Sequence, residues 1–160
     1  MATTTILEHH DHPNVRIPPP LIYVAGFLIG LLLEKGFPVA VLPRTPTRIG
    51  ASVCIALWVI LGAWSIGLFR RLRTSLLPIR PTTTLVVSGP YRFTRNPMYL
   101  ALAFLYVGLA LWFLMFWALV LLPAVIAVVQ YFVIAREEKY LEEKFGEEYH
   151  QYRVRVRRWI

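Results

Sequence analysis

Charge is what this sequence has least of. Only 16% of its 160 residues are Asp, Glu, Lys or Arg, against 57% hydrophobic residues and a mean hydropathy of +0.55. A water-soluble domain carries about 25% charged residues, so too few polar side chains are present to cover a globule of this length. The scarcity excludes a soluble single domain and indicates an integral membrane protein. Cysteine is almost absent: Cys54 stands alone in an apolar segment, which excludes an intrachain disulfide and leaves the redox compartment open. Outside the first residues the only histidine is His150. With no Ser-His-Asp arrangement and no ligand set of suitable spacing, hydrolytic and metal-centred chemistry have little support. No internal repeat or low-complexity segment is evident, and no cleavable signal peptide is expected, because the first apolar run does not end in a small-residue cleavage site.

What charge there is has a sign and a place. The net charge of +8 comes from 17 basic and 9 acidic residues. The arginines flank apolar runs instead of patterning a soluble face, so attraction to anionic lipid headgroups accounts for them better than nucleic-acid binding. Between these flanks the hydropathy reads as an all-α, polytopic membrane bundle of about four transmembrane helices plus a C-terminal amphipathic helix.

Residues 1–16 form a polar tail in which His9, His10, Asp11 and His12 could bind a metal, although a solvated tail accounts for them without a second ligand cluster. The membrane domain covers 17–160. Its first span, 18–42, starts after three prolines that suit a helix start and is interrupted by "EKGFP", with Glu34 and Lys35 placed at the interface. The second span, 49–69, is 21 residues without a charge, stopped by "RRLR"; about 20 residues cross a hydrocarbon core of ~30 Å. A loop rich in Pro, Thr and Arg occupies 70–97. The uncharged run 98–134 is 37 residues long, too long for one span and right for a tight hairpin, 98–114 and 116–134, with a turn near 113–116 and a kink at Pro123. In the helix 135–153, Leu141, Phe145, Tyr149 and Tyr152 share one face while Glu142, Glu143, Glu147 and Glu148 occupy the other. The loop holds Arg70, Arg71, Arg73, Arg80, Arg92 and Arg95, and seven more Lys or Arg follow from Arg136 onward, which points both segments to the cytoplasm.

The loop carries more punctuation than a stop-transfer signal needs. In "GPYRFTRNPMY" (89–99), Gly89-Pro90 marks a turn, and Asn96-Pro97 makes Asn96 extended and starts a helix at Pro97. The segment between is held at both ends and presents Tyr91, Arg92, Arg95 and Tyr99. Glu137 and Glu138 lie where the last span leaves the membrane, opposite this basic loop, where a cationic ligand would be stabilised.

The ordered pair "RPTTTLVVSGPYRFTRNPMYL" and "EEKYLEEKFGEEYHQYRVRVRRW", separated by the hairpin, resembles the isoprenylcysteine carboxyl methyltransferase-like membrane methyltransferases, relatives of the phospholipid methyltransferases. The likeness covers about 14–160. It implies S-adenosyl-L-methionine as methyl donor, bound at the cytoplasmic face of a bacterial-type inner membrane, with a lipophilic or lipidated acceptor reaching the site from the surrounding membrane lipids. By motif position it implies that Arg95, Asn96, Pro97, Tyr99, Gly108, Glu137 and Glu138 bind the donor, with Glu138 also placed in the catalytic set. It implies that Arg155 lies near the acceptor carboxylate or the reaction centre. Asn96 stands where the eukaryotic motif has histidine, a variant of bacterial-type members; Ala101 replaces a frequent glycine and Arg157 a frequent proline. These departures, and the lack of the eukaryotic enzymes' additional N-terminal spans, bear on prenylated-protein substrates more than on methyl transfer. Other readings of the same residues are a phospholipid N-methyltransferase, a membrane reductase using NADPH, and a non-catalytic membrane scaffold.

Overall fold

Prolines bracket the first helix. Pro19 and Pro20 occupy the opening turn of α1 (Pro19–Gly36), where a missing N–H costs nothing, and Pro38 forces the residue before it out of helical geometry. The computed structural model describes residues 17–40, 42–72 and 84–160; the histidine-bearing tail 1–16, with Arg73 and Arg80, lies outside the described residues. Helix α1 therefore ends earlier than the expected 42, at Gly36. Helix α2 (Arg44–Leu72) is longer than expected at both ends. At its start Thr47 Oγ1 donates to the Pro43 and Arg44 carbonyls, at 2.7 and 3.0 Å, and Arg48 lies over the Trp112 ring, 4.8 Å from its centre. Arg70 and Arg71 in its last turn face the negative end of the helix dipole.

A short 3-10 turn, Gly89–Arg92, precedes α3 (Pro97–Trp112). The expected tight hairpin comes next: Met115 N–H donates to the Ala110 carbonyl at 2.8 Å, and α4 (Phe116–Val129) begins at the next residue. Helix α4 continues through Pro123, and the break in regular geometry falls further on, in a π-helical turn over Gln130–Ile134. Such a turn accommodates an extra residue and shifts the register of the helix beyond it, here α5 (Ala135–Arg155). Helix α5 is not one straight rod either, because Gly146 adopts φ 50°, ψ −119°, which a residue with a Cβ rarely takes. The expected face survives the bend: Tyr149 and Tyr152 are buried with Leu85, and Leu141, Phe145 and Val156 pack around them.

The described residues are helical without strands. Among the described residues, three helical stretches are long and apolar enough to cross a membrane, Pro19–Gly36, Arg44–Leu72 and Phe116–Arg155, whereas Pro97–Trp112 is apolar but shorter. Helix α3 packs against α1, α2 and α4, and α1 also packs against α4. Large apolar side chains face outward, among them Leu28, Ile29 and Leu32 on α1 and Val53, Val59 and Ile60 on α2. Continuous apolar surface of this kind belongs against lipid. Inside, where no water is available, tyrosine hydroxyls donate to spare carbonyls: Tyr23 to Tyr99 at 3.0 Å and Tyr106 to Ala118 at 2.9 Å.

Small residues set the helix spacing. Gly26 and Gly30, a G-x-x-x-G pair, face α4 so closely that a Cβ on Gly30 would lie 2.7 Å from the Ala118 Cα. Beyond them Glu34 accepts from the Trp117 N–H at 3.2 Å with one oxygen and from Val39 N–H at 3.1 Å with the other, capping the start of α4 from a neighbouring helix. Substituting Gly30→Ala is expected to lower the thermal unfolding midpoint in detergent, through overpacking worth roughly 1–3 kcal/mol. Gly62→Ala, at a position with open space around it, is expected to leave the midpoint unchanged or higher. Equal effects of the two would contradict this packing.

Candidate functional site

Pro97 fixes where α3 starts, and the polar residues just before it turn toward α5. Asn96 is the N-cap residue, but its side chain does not cap α3. Asn96 Nδ2 donates instead to the Arg158 carbonyl at 3.0 Å, and its N–H bonds Thr94 Oγ1 at 3.2 Å. Arg95, nine-tenths buried, reaches Glu138 Oε1 at 3.2 Å and the Tyr149 hydroxyl at 3.4 Å, while its Nε is buried without a hydrogen-bond partner among the described residues. One turn into α3, the Tyr99 hydroxyl donates to Glu137 Oε1 at 2.5 Å. From the other side Tyr152, on α5, donates to the Tyr91 carbonyl at 2.8 Å. The two sequence motifs thus meet face to face.

The paired carboxylates differ in partners. Glu138 is buried and held by two arginines: Arg158 Nε and a terminal nitrogen bond its two oxygens at 3.0 and 2.6 Å, alongside Arg95. These hydrogen bonds raise the Arg158 guanidinium above its ordinary pKa. Glu137 has no ion pair among the described residues, only the Tyr99 hydroxyl. It lies just beyond the uncharged run. Burial pushes its carboxyl up from 4.5 to about 7, with the Tyr99 hydrogen bond opposing and the Glu138 charge assisting. Burial likewise raises the Tyr91 phenol, helped by the nearby Glu137 charge, so this ring stays neutral.

Of the residues singled out in the sequence, Arg95, Asn96, Pro97, Tyr99, Glu137 and Glu138 come together here. Gly108 and Arg155 do not. Gly108 faces α2, where a Cβ would sit 2.8 Å from an Ile55 side-chain carbon and 3.3 Å from the Ala51 carbonyl, so helix packing accounts for the small residue. Arg155 is exposed, and its Nε donates to the Gln151 carbonyl of its own helix at 3.1 Å. Arg92 is exposed as well. Sequence reasoning missed Thr94 and Arg158; Arg158 sits in "RVRVRRW", where four arginines look alike until the chain's reversal is known.

An apolar cavity of about 270 Å³ adjoins this cluster, between α2 and the segment before α3. Leu61, Trp64, Phe93, Leu100 and Trp159 line it. Phe93 is 71% and Trp64 49% exposed on its rim.

Fold and cluster together define a helical membrane protein with a buried ionic site at one end of the bundle. A family model, phospholipid methyltransferase, matches residues 46–148, from the first turns of α2 to near the end of α5. The chain belongs to that family, which makes it a membrane methyltransferase by kinship. An uncharacterized protein of Haemophilus influenzae is 45% identical over 63 residues, 39% of this chain and the whole of that protein. No solved structure gives a match.

A raised carboxyl pKa makes the folded state favour the protonated form. Compared with Glu137→Gln, the wild type is expected to be most stable below about pH 4.5 and to lose that advantage as the pH rises through about 7. Unfolding midpoints of both proteins across this range check it; a pH-independent difference would contradict the assignment.

Proposed function

We propose that the protein is an S-adenosylmethionine-dependent methyltransferase acting on a lipophilic acceptor at the membrane surface. One observation carries the reading. Among the described residues, the site holds a carboxylate without a cationic partner, Glu137, and a buried donor without an acceptor, Arg95 Nε. A ligand with both an ammonium and a carboxylate group complements the two, and the amino-acid end of S-adenosylmethionine has this pair. Glu137 would hold the ammonium, Arg95 would meet the carboxylate, and Tyr99 would keep Glu137 oriented. Glu138 already answers to two arginines. A further cation there would crowd like charges, so its role is to fix Arg95.

Bound S-adenosylmethionine supplies a sulfonium-activated methyl group. In-line displacement needs positioning and exclusion of water more than it needs a catalytic base, which suits a site without a histidine dyad. The apolar cavity beside Thr94 would take the acceptor's hydrocarbon portion from the bilayer, and the family match favours a phospholipid or other small lipid over an isoprenylated protein. The arginines at the end of α2 and along α5 support a cytoplasmic placement of this end of the bundle. A nicotinamide dinucleotide would bring several phosphate charges beside the carboxylates Glu137 and Glu138, which suit a cationic donor better.

Calorimetry of the purified protein in detergent is expected to show binding of S-adenosylmethionine and none of NADPH. Affinity for the methyl donor should rise with pH through about 7, as Glu137 ionises. Glu137→Gln should weaken binding by ~1–3 kcal/mol and flatten that pH dependence. No heat with the methyl donor, or heat only with NADPH, would overturn the reading.

A further inference from the structure

Beyond α5 the chain reverses. Val156 is extended (φ −121°, ψ 129°), and residues 156–160 run back across the segment before α3. The Arg157 carbonyl accepts from the Arg95 N–H at 3.0 Å. The Arg158 carbonyl accepts from Thr94 Oγ1 at 3.1 Å and Asn96 Nδ2 at 3.0 Å. Trp159 Nε1 donates to Gln130 Oε1 at 2.9 Å, in the π-helical turn. Three consecutive residues of the first motif, Thr94, Arg95 and Asn96, thus bond the carbonyls of two consecutive residues of this strap. The family match ends before the strap, at residue 148.

Arg158 has a special place in it. Its carbonyl holds the loop and its guanidinium holds both oxygens of Glu138, so one residue ties the first motif to the second. Glu138 also has Arg95, but through one nitrogen at 3.2 Å, against the two-point grip of Arg158 at 3.0 and 2.6 Å. A planar guanidinium matched to a carboxylate in this way gives geometric specificity as well as attraction. Without Arg158 the buried Glu138 charge would fall to Arg95 alone, and Arg95 would turn to satisfy it. Arg95 would then lose its present orientation, in which Nε is buried and held back from Glu138.

We propose that Arg158 is a positioning residue of the methyl-donor site, acting through Glu138 and Arg95, and that residues 156–160 are the strap that delivers it. The proposal rests on the donor-binding reading above. The strap does not compete with the donor, because Arg158 occupies Glu138 and, among the described residues, leaves Glu137 without a cation.

The test is donor calorimetry on the full chain in detergent for the wild type, Arg158→Ala, Arg158→Lys and the control Arg153→Gln. Arg153 pairs with Glu142 on the exposed side of α5. Amide hydrogen exchange of Thr94, Arg95 and Asn96 is followed in the same samples. Arg158→Ala is expected to bind S-adenosylmethionine roughly tenfold more weakly, to regain affinity when guanidinium ion is added, and to exchange faster at 94–96 while the rest of the bundle stays protected. Arg158→Lys, which keeps the charge but not the fork, should fall between, and Arg153→Gln should match the wild type. Unchanged or tighter donor binding in Arg158→Ala would overturn the proposal, tighter binding meaning that the strap is a plug. Weaker binding without guanidinium rescue, with faster exchange throughout the bundle, would also overturn it in favour of a general folding role. If the wild type itself binds no donor, the functional reading fails, and exchange at 94–96 alone decides whether Arg158 orders the loop: faster in Arg158→Ala upholds it, unchanged refutes it.

Discussion

A buried carboxylate must be paired, and in this protein the need to pair Glu138 organises one whole end of the bundle. Its two arginines come from segments far apart in the chain, Arg95 before α3 and Arg158 after α5. Removing one partner of a buried pair is far more costly than the pair's net contribution to stability. The pairing therefore specifies an arrangement more than it adds to stability. Loop, helix and strap can meet in few other ways without stranding a charge.

The rest of the fold supplies a rigid platform for that meeting. Gly26 and Gly30 bring α1 against α4, and Gly108 brings α3 against α2. The contacting backbones define the positions from which Tyr99 and the two glutamates project. The π-helical turn ahead of Ala135 is the one adjustment between the membrane part and the charged part. It buries Val133 and Ile134 and still brings Glu137 to Tyr99. The two carboxylates then divide the work. Glu138 is neutralised by two arginines, and Glu137, which among the described residues has only a tyrosine hydroxyl, is the one proposed to meet a ligand's positive charge.

Much of this arrangement is legible in the sequence. The uncharged run, the arginine flanks and the proline punctuation dictate a helical membrane bundle with a hairpin. The pairing of "RNPMY" with "EE" across that hairpin places Arg95, Tyr99, Glu137 and Glu138 together, as the structure has them. The parts that are not legible depend on tertiary geometry. Arg155 and Arg158 are indistinguishable by residue type and hydropathy, and only the reversal at Val156 separates an exposed arginine from a buried partner. The smallness of Gly108 suggests close approach without saying to what, and its neighbour is a helix. The expected kink at Pro123 and the observed turn at Gln130–Ile134 differ because proline marks only a missing donor, whereas a π turn answers to register. The G-x-x-x-G pair on α1 is a packing signal that the chain carries openly, yet its partner, Ala118, emerges only from the fold.

The proposed methyl transfer from S-adenosylmethionine to a lipophilic molecule, through a site centred on Glu137, is open to direct measurement. The purified protein in vesicles of bacterial phospholipid is given methyl-labelled S-adenosylmethionine, and label is counted in the organic-solvent extract. The expected result is time-dependent label in the lipid fraction that is lost in Glu137→Gln. Label that stays in the aqueous phase, or transfer that is the same in Glu137→Gln as in the wild type, would contradict it.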